Sequence, residues 1–423
     1  MNYIDLFAGA GGLSDGFIRA GYEPIVHVEM DEAACYTLKT RVAYHYLKAT
    51  ENIGVYRAYL RNDITREQLY GYIPRDLLSS VINLPIGGES NSKIHSLIDD
   101  QLDQKNISKK DVDLIIGGPP CQAYSVVGRA RSENGMKGDP RNYLYVQYAR
   151  YLETYQPKMF VFENVLGLKS AQKGIFLSNM ERLFEKKGYK IEVFTVEANN
   201  FNVLQNRKRI IIIGWKDDFV PTLPDLEAVR LNQGDHVESL LKDLPPLNAG
   251  EGKDKYMDYA RLPDKYLRSS GIRERLRELT QHVARPHTQQ DKEIYKIVVD
   301  KWNNHSERLD YNSLPEKLKT HSNRDAFVDR FKVVAANCPY SQTVVAHIAK
   351  DGHYYIHPDI TQNRSLTVRE AARLQSFPDS YYFEGVKEKG SRTAAFKQIG
   401  NAVPPLMAYE IAKVLKPVLE SVT

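Results

Sequence analysis

The amino-acid sequence predicts an α/β fold, and three observations predict it. Short apolar runs at 3–7, 25–28, 114–116, 159–162 and 210–213 read as buried strands. Helix-like stretches alternate with them, and the strand ends carry glycine, proline or an acid. The alternation fades after about Asp217 and returns near Ser365, so the α/β domain is expected to be discontinuous and closed by the C-terminus.

Composition sets the outer bounds. The chain has 423 residues, 42% hydrophobic and 26% charged, which suits a water-soluble globular protein of two domains. No apolar run approaches the roughly 18 residues of a membrane span, so no membrane partner is expected. Met1 leads directly into a strand-like run without the basic-then-apolar pattern of a signal peptide. The three cysteines, Cys35, Cys121 and Cys338, are odd in number and far apart. That argues against a disulfide framework and for a reducing cytoplasm. They show no paired metal-ligand spacing, and no metal is expected. A net charge of +5 and a pI of about 8.7 permit a nucleic-acid partner without demonstrating one.

The first strand runs into Phe7-Ala8-Gly9-Ala10-Gly11-Gly12, followed by a helix over 13–20 that Gly21 stops. Strand, glycine-rich turn and helix make a loop whose backbone can approach a ligand closely. The next strand ends at Glu29, 20 residues after Gly9, the spacing at which an acid meets a ribose hydroxyl. Ser14 stands where a dinucleotide pattern needs its third glycine, which disfavours nicotinamide and leaves an adenosine-containing cofactor. The plain alternative is that the glycines only pack helix on strand. Asp31 caps a helix reaching about Tyr46. Asn62-Asp63-Ile64 reads as the end of a third strand, with Asp63 facing an adenine amino group; Asp63 is equally an N-cap for a helix from Arg66. Residues 71–110 read as a loop-like insertion.

The strand at 114–116 ends in Gly117-Gly118-Pro119-Pro120-Cys121-Gln122. Such a loop holds its cysteine rigidly at a sheet's carboxyl edge, where open α/β sheets place ligands. An ordinary loop cysteine is the alternative. Residues 123–141, rich in Gly, Ser, Arg and Asn, read as a mobile lid or a solvated basic loop. The strand at 159–162 ends in Glu163-Asn164, and an acid there is costly without a partner or a task. Gln205-Asn206-Arg207-Lys208-Arg209 enters the next strand. Alternation sends Arg207 and Arg209 to one side, as edge gatekeepers or toward Cys121 and Glu163. Residues 221–360 hold clustered prolines, long polar helices, balanced charge and eight of the 11 histidines, and read as a separate domain. Ser365 or Thr367 then caps a helix, 398–405 forms a tight turn, and Pro404 starts the last helix.

Six stretches, taken in order, resemble the cytosine-C5 DNA methyltransferase family of bacterial type, which has a central variable target-recognition domain. They are Asp5-Leu6-Phe7-Ala8-Gly9-Ala10-Gly11-Gly12, Gly118-Pro119-Pro120-Cys121-Gln122, Phe162-Glu163-Asn164-Val165, Gln205-Asn206-Arg207-Lys208-Arg209, Arg369-Glu370-Ala371-Ala372-Arg373-Leu374-Gln375-Ser376-Phe377-Pro378 and Gln398-Ile399-Gly400-Asn401-Ala402-Val403-Pro404-Pro405. They cover most of 1–215 and 364–423. The long insertion before Asp113 departs from the compact form of that family.

The resemblance implies a fold, a set of domains and a chemistry. The fold is that of S-adenosylmethionine-dependent methyltransferases, a mostly parallel seven-stranded sheet with helices on both faces, plus a smaller mixed recognition domain. The implied domains are a catalytic and cofactor-binding domain at 1–215, a variable target-recognition domain at 216–363, and a returning C-terminal segment at 364–423. The implied reaction moves a methyl group from S-adenosylmethionine to C5 of cytosine within a specific double-stranded DNA sequence. Cytosine C5 is a poor nucleophile, and a thiolate added at C6 makes it enamine-like. Cys121 would be that thiolate. Glu163 would hold N3 and the exocyclic amine, Arg209 would bind O2, and Arg207 would support the lid and the charge balance. The base must leave the duplex to be reached. Phe7, Gly9, Gly11, Leu13, Glu29, Met30, Asp63, Ile64, Pro120, Leu144, Asn401 and Val403 would surround the cofactor.

The implied setting is a cytoplasmic, nucleoid-associated monomer in a restriction-modification context, with a cognate endonuclease acting separately on the same site. Two rivals share the scaffold. A tRNA cytosine-C5 methyltransferase would have a shorter recognition region, and an inactive DNA-binding homologue would not need Cys121, Glu163, Arg207 and Arg209 together.

Overall fold

The alternating apolar runs form one central sheet. A computed structural model describes residues 1–120, 143–218, 221–274, 276–388 and 391–421. Its first part runs β1 (Asn2–Leu6), α1 (Gly12–Arg19), β2 (Glu23–Glu29), α2 (Glu32–Ala49), α3 (Ile53–Arg61), α4 (Arg66–Gly71), α5 (Arg75–Ser79), β3 (Val81–Asn83), α6 (Asn91–Gln104) and β4 (Leu114–Gly117). Then come α7 (Leu144–Tyr155), β5 (Met159–Asn164), α8 (Gly167–Ser170), α9 (Ile175–Lys186), β6 (Tyr189–Glu197) and β7 (Lys208–Lys216). The variable segment adds β8 (Gly252–Lys253), α10 (Lys265–Ser269), β9 (His282–Val283) and α11 (Gln289–His305). The chain ends with α12 (Val368–Leu374), α13 (Arg392–Asn401) and α14 (Pro405–Glu420).

The sheet order is β3-β2-β1-β4-β5-β7-β6. Pairing is parallel as far as β5, and β7 runs antiparallel to both of its neighbours. The side-chain period of two divides the strands between two cores. Ile115, Phe160, Phe162, Ile210 and Ile212 pack with Tyr148, Leu152 and Phe184 of α7 and α9. Ile116, Val161, Ile211 and Ile213 pack with Phe17 of α1 and Met407 and Ile411 of α14. The last helix reaches α1 closely because residue 16 is glycine; a Cβ there would stand 2.4 Å from the Tyr409 backbone nitrogen. The last helix thus shares a core with α1 and the strands of the central sheet.

Three sequence expectations need correction. Residues 62–64 form no strand. Asn62 is the left-handed C-cap of α3, and Thr65, not Asp63, caps α4 in a capping box with Gln68. The third strand is β3, inside the stretch expected to be a loop-like insertion, and α6 follows it. Among the described residues, the expected long polar helices of 221–360 reduce to one, α11; much of the rest is short turns and irregular chain. Part of this segment has its own core, with Tyr295, Val299, Tyr311, Phe331, Val333 and Ile356. Another part shares a core with α12 and α13.

Buried arginines fasten that shared region. Arg364 donates to both carboxylate oxygens of Glu370, at 2.8 and 2.7 Å. Arg373 reaches Asp243 at 2.5 Å and Asp379 at 2.6 Å. Arg369 donates to the Thr280 and Tyr381 carbonyls. All three arginines are fully buried, and charges so buried are tolerable only with complete partners. Two histidines sit in the same layer: His282 meets Thr367 Oγ1 and the Pro245 carbonyl, and His357 lies 3.6 Å from Glu370.

Burial pushes His282 and His357 down to about 4. The unfolded chain takes up these protons near pH 6.5, and the folded chain does not until about pH 4. The unfolded state therefore binds more protons below pH 6.5, and stability contributed by the neutral rings is lost as pH falls through that window. Replacing His282 by glutamine removes its share, roughly 2 kcal/mol at pH 5. The measured cost of His282→Gln in urea unfolding should be smaller at pH 5 than at pH 7.5 by about that amount. An equal cost at both values would contradict a neutral buried ring.

Candidate active site

The carboxyl ends of β1, β2 and β5 and the loop after β4 open into one cavity of about 1900 Å³. Its first half is built by the glycine-rich turn. Phe7 and Gly9 both take φ of 57°, and Gly11, at φ 82°, is the N-cap of α1. This turn directs the Gly9 N–H to Glu29 Oε2 at 2.8 Å. Glu29 Oε1 accepts the N–H groups of Met30 and Asp31, each at 2.8 Å. Burial raises the Glu29 pKa even against these three donors. The donors use three of about four acceptor sites on a carboxylate, which leaves one for a ribose hydroxyl. Beside it Met30 is 65% exposed, an apolar shelf.

Of the residues expected around the cofactor, Phe7, Gly9, Leu13, Glu29, Met30, Pro120, Leu144, Asn401 and Val403 line this cavity. Gly11, Asp63 and Ile64 are not among its lining. Gly11 serves the turn instead: a Cβ there would stand 2.8 Å from Leu38 and 2.9 Å from the Tyr381 hydroxyl. Asp63 is exposed, and Ile64 packs in the aromatic cluster of α3 and α4. The wall they were expected to form comes from Leu84-Pro85-Ile86-Gly87-Gly88, just after β3. Asn83 secures it by donating to the Glu29 and Met30 carbonyls at 3.1 and 3.0 Å. Sequence reasoning missed these residues, although a signal was present: Val81-Ile82 is a short apolar run closed by Asn, Pro and two glycines. A turn with an open backbone, a buried carboxylate and apolar walls fits an adenosine-containing cofactor.

The second half is built by β5 and β7. Glu163 is the next-to-last residue of β5, and Arg209 the second of β7; the antiparallel pairing of the two strands brings Arg209 Nε to 2.7 Å from Glu163 Oε1. Both side chains are nearly buried and both line the cavity. Glycine at 118 leaves room for this approach; a Cβ there would stand 2.8 Å from Glu163 Oε2. Asn164 donates to the Pro119 carbonyl at 3.3 Å and so ties β5 to the proline loop. Cys121 and the expected lid at 123–141 lie outside the described residues. Of the other cysteines, Cys35 is buried on α2, and burial pushes its thiol up to about 12.

Arg207 goes elsewhere than expected. It is fully buried and donates to the carbonyls of Val344 (2.7 Å), Gly400 (3.2 Å) and Ala402 (2.8 Å). It precedes β7, so strand alternation does not carry it to the side of Arg209.

A family model of C-5 cytosine-specific DNA methylases matches residues 1–54 and 89–417. The chain belongs to this family. The methylase is 40% identical over 450 residues to the type II methyltransferase M.Bpa9945I of Bacillus paralicheniformis, covering 99% of both chains. It is 33% identical to the type II methyltransferase M.DdeI of Desulfomicrobium norvegicum, covering 98% of this chain and 88% of that one. Among solved structures, a candidate DNA modification methyltransferase encoded within an E. coli prophage shares the fold, with a TM-score of 0.63 at 22% identity over 99% of both chains. The protein is therefore a DNA (cytosine-5-)-methyltransferase with S-adenosylmethionine as methyl donor. The unmatched stretch between 54 and 89 contains most of α3, all of α4 and α5, and β3. Among the described residues, no helix of the methylase is long and apolar enough to cross a membrane.

Glu29→Ala should weaken S-adenosylmethionine binding at least tenfold by titration calorimetry, because it removes both the acceptor and the brace of the Gly9 turn. Affinity equal to that of the unaltered enzyme would place the ribose contact elsewhere.

Proposed function

We propose that the methylase flips a cytosine out of a specific double-stranded DNA sequence and adds the Cys121 thiolate to its C6 before C5 is methylated. The observation that carries this reading is the Glu163–Arg209 pair, which faces the cavity beside the Pro119-Pro120 loop. A carboxylate and a guanidinium side by side match the edge of cytosine: Glu163 meets N3 and the exocyclic amine, and Arg209 donates to O2. As the thiolate adds at C6, Glu163 favours protonation at N3, and the C5–C6 electron pair is released toward C5. S-adenosylmethionine supplies the electrophilic methyl group. Loss of the C5 proton to solvent then lets the C6–sulfur bond break, which returns the thiolate. Arg207 acts as a positioning residue rather than a contact, because it holds the chain at Gly400 and Ala402 beside Asn401 and Val403.

Phe7, Gly9, Leu13, Glu29, Met30, Pro120, Leu144, Asn401 and Val403 hold the cofactor, with Leu84 and Ile86 on the adenine side. Residues 1–215 and 364–423 form the catalytic domain, and 216–363 choose the DNA sequence. The separate core around Phe331 and Val333 supports that division. The names of the relatives, type II methyltransferases, support a restriction-modification setting with an endonuclease acting separately on the same site. The enzyme works as a cytoplasmic monomer, associated with the nucleoid through DNA.

A duplex carrying 5-fluorocytosine at the target tests the covalent step. Fluorine at C5 blocks loss of that substituent, so the adduct cannot eliminate. A band of reduced mobility should survive denaturation, require S-adenosylmethionine and vanish in Cys121→Ser. Glu163→Gln should slow its formation about 100-fold or more. An adduct that persists in Cys121→Ser, or that maps to Cys35 or Cys338, would overturn the assignment.

A further inference from the structure

The cavity has a third set of lining residues that the chemistry above does not use. They come from the variable segment, and two paired extended stretches present them. Lys332 N–H donates to the His353 carbonyl, Ile356 N–H to Lys332, and Val334 N–H to Ile356. Side chains alternate along such a ribbon. Phe331 and Val333 enter the core of the segment, whereas Arg330 and Lys332 turn to the cavity with Tyr354.

Arg330 is held in an unusual way for a side chain at a cavity wall. Its guanidinium lies 4.8 Å from the Tyr354 ring centroid. Its Nη2 is paired with the Asp351 carboxylate, and its Nη1 is 3.4 Å from His347 Nδ1. Asp351 is itself braced by the His353 N–H at 3.0 Å. The buried Nε has no hydrogen-bond partner. The Tyr354 ring and the Asp351 carboxylate together hold the guanidinium in place, while each terminal nitrogen keeps an N–H beyond the contact just named. Lys332 differs: its ammonium pairs with the half-exposed Asp329 and stands 5.0 Å from the same ring. A fixed planar fork suits directed recognition, and a flexible point charge suits a phosphate.

Guanine is the base whose major-groove edge offers two adjacent acceptors, N7 and O6, to such a fork. We propose that Arg330 reads a guanine of the recognised DNA sequence, with Asp351 and Tyr354 as its positioning residues and Lys332 as a neighbouring phosphate contact. The proposal rests on the reading of this cavity as a DNA methylation site.

The test compares full-length enzymes expressed in cells whose DNA lacks cytosine methylation. Bisulfite sequencing reports the sequence around each methylated cytosine, and kcat/KM is then measured on the preferred duplex and on duplexes with one pair changed. The unaltered enzyme should require a guanine at one position of its site. In Arg330→Ala that requirement should relax, with kcat/KM on the preferred duplex falling about 10- to 100-fold and the changed duplex nearly unaffected. Arg330→Lys should not restore the preference, because an ammonium cannot make the paired contact. Lys332→Ala should weaken methylation of all sequences alike and flatten its salt dependence. Cofactor affinity by calorimetry checks the fold of each variant. If Arg330→Ala does not fold, Asp351→Asn, which keeps the guanidinium but loosens it, should relax the same position. An unchanged site in Arg330→Ala, an equal loss on every sequence, or an unchanged site in a folded Asp351→Asn would overturn the proposal. Absence of DNA methylation by the unaltered enzyme would instead overturn the functional reading beneath it.

Discussion

A carboxylate and a guanidinium at the rim of a buried sheet can be withdrawn from water only together. Glu163 and Arg209 meet that constraint because β7 runs antiparallel to β5, which sets the start of one strand against the end of the other. Either charge alone would carry an uncompensated desolvation cost. Much of the surrounding chain serves this pair. Gly118 leaves room for the carboxylate, and Asn164 fastens the proline loop next to it. The reversal of strand direction is therefore what places this bifunctional polar edge at the mouth of the sheet.

Charge buried elsewhere keeps the two halves of the cavity in register. The Gln205–Arg209 stretch divides its residues by direction. Lys208 faces outward and pairs with Glu197, and Arg209 turns to Glu163. Gln205 and Arg207 point inward and bind backbone carbonyls from residues 344, 374, 400 and 402. The strand that carries Arg209 is thus bonded directly to the C-terminal return that carries Asn401 and Val403. Arg364, Arg369 and Arg373 do the same for residues 216–363, through the Leu247 carbonyl, Thr280 and Asp243. Such fully partnered arginines contribute orientation more than net stability.

The sequence revealed the sheet wherever a strand was long enough to show its period and ended in a residue of distinct chemistry. β1, β2, β4, β5 and β7 were legible for that reason, and with them Glu29, Glu163 and the proline loop. β3 was not, because three residues are too few for a period, and the Asn62-Asp63-Ile64 turn imitated a strand end more convincingly. Asp63 followed that error out of the site, and the Leu84–Gly88 wall was lost with it. Arg207 failed differently: alternation applies within a strand, and this residue stands one position before it. The variable segment carried little readable period because its chain is mostly irregular, so Arg330 and Tyr354 could be found only once folding had placed them on the cavity.

The central claim is that Glu163 and Arg209 act as one unit on the target base. A double-mutant cycle on kcat/KM for methylation of duplex DNA measures this directly, with Glu163→Gln, Arg209→Gln and both together. Two halves of one unit should each lose about 100-fold or more, and the double variant should lose little beyond the worse single. Losses that multiply in the double variant would show two independent contacts and contradict the account.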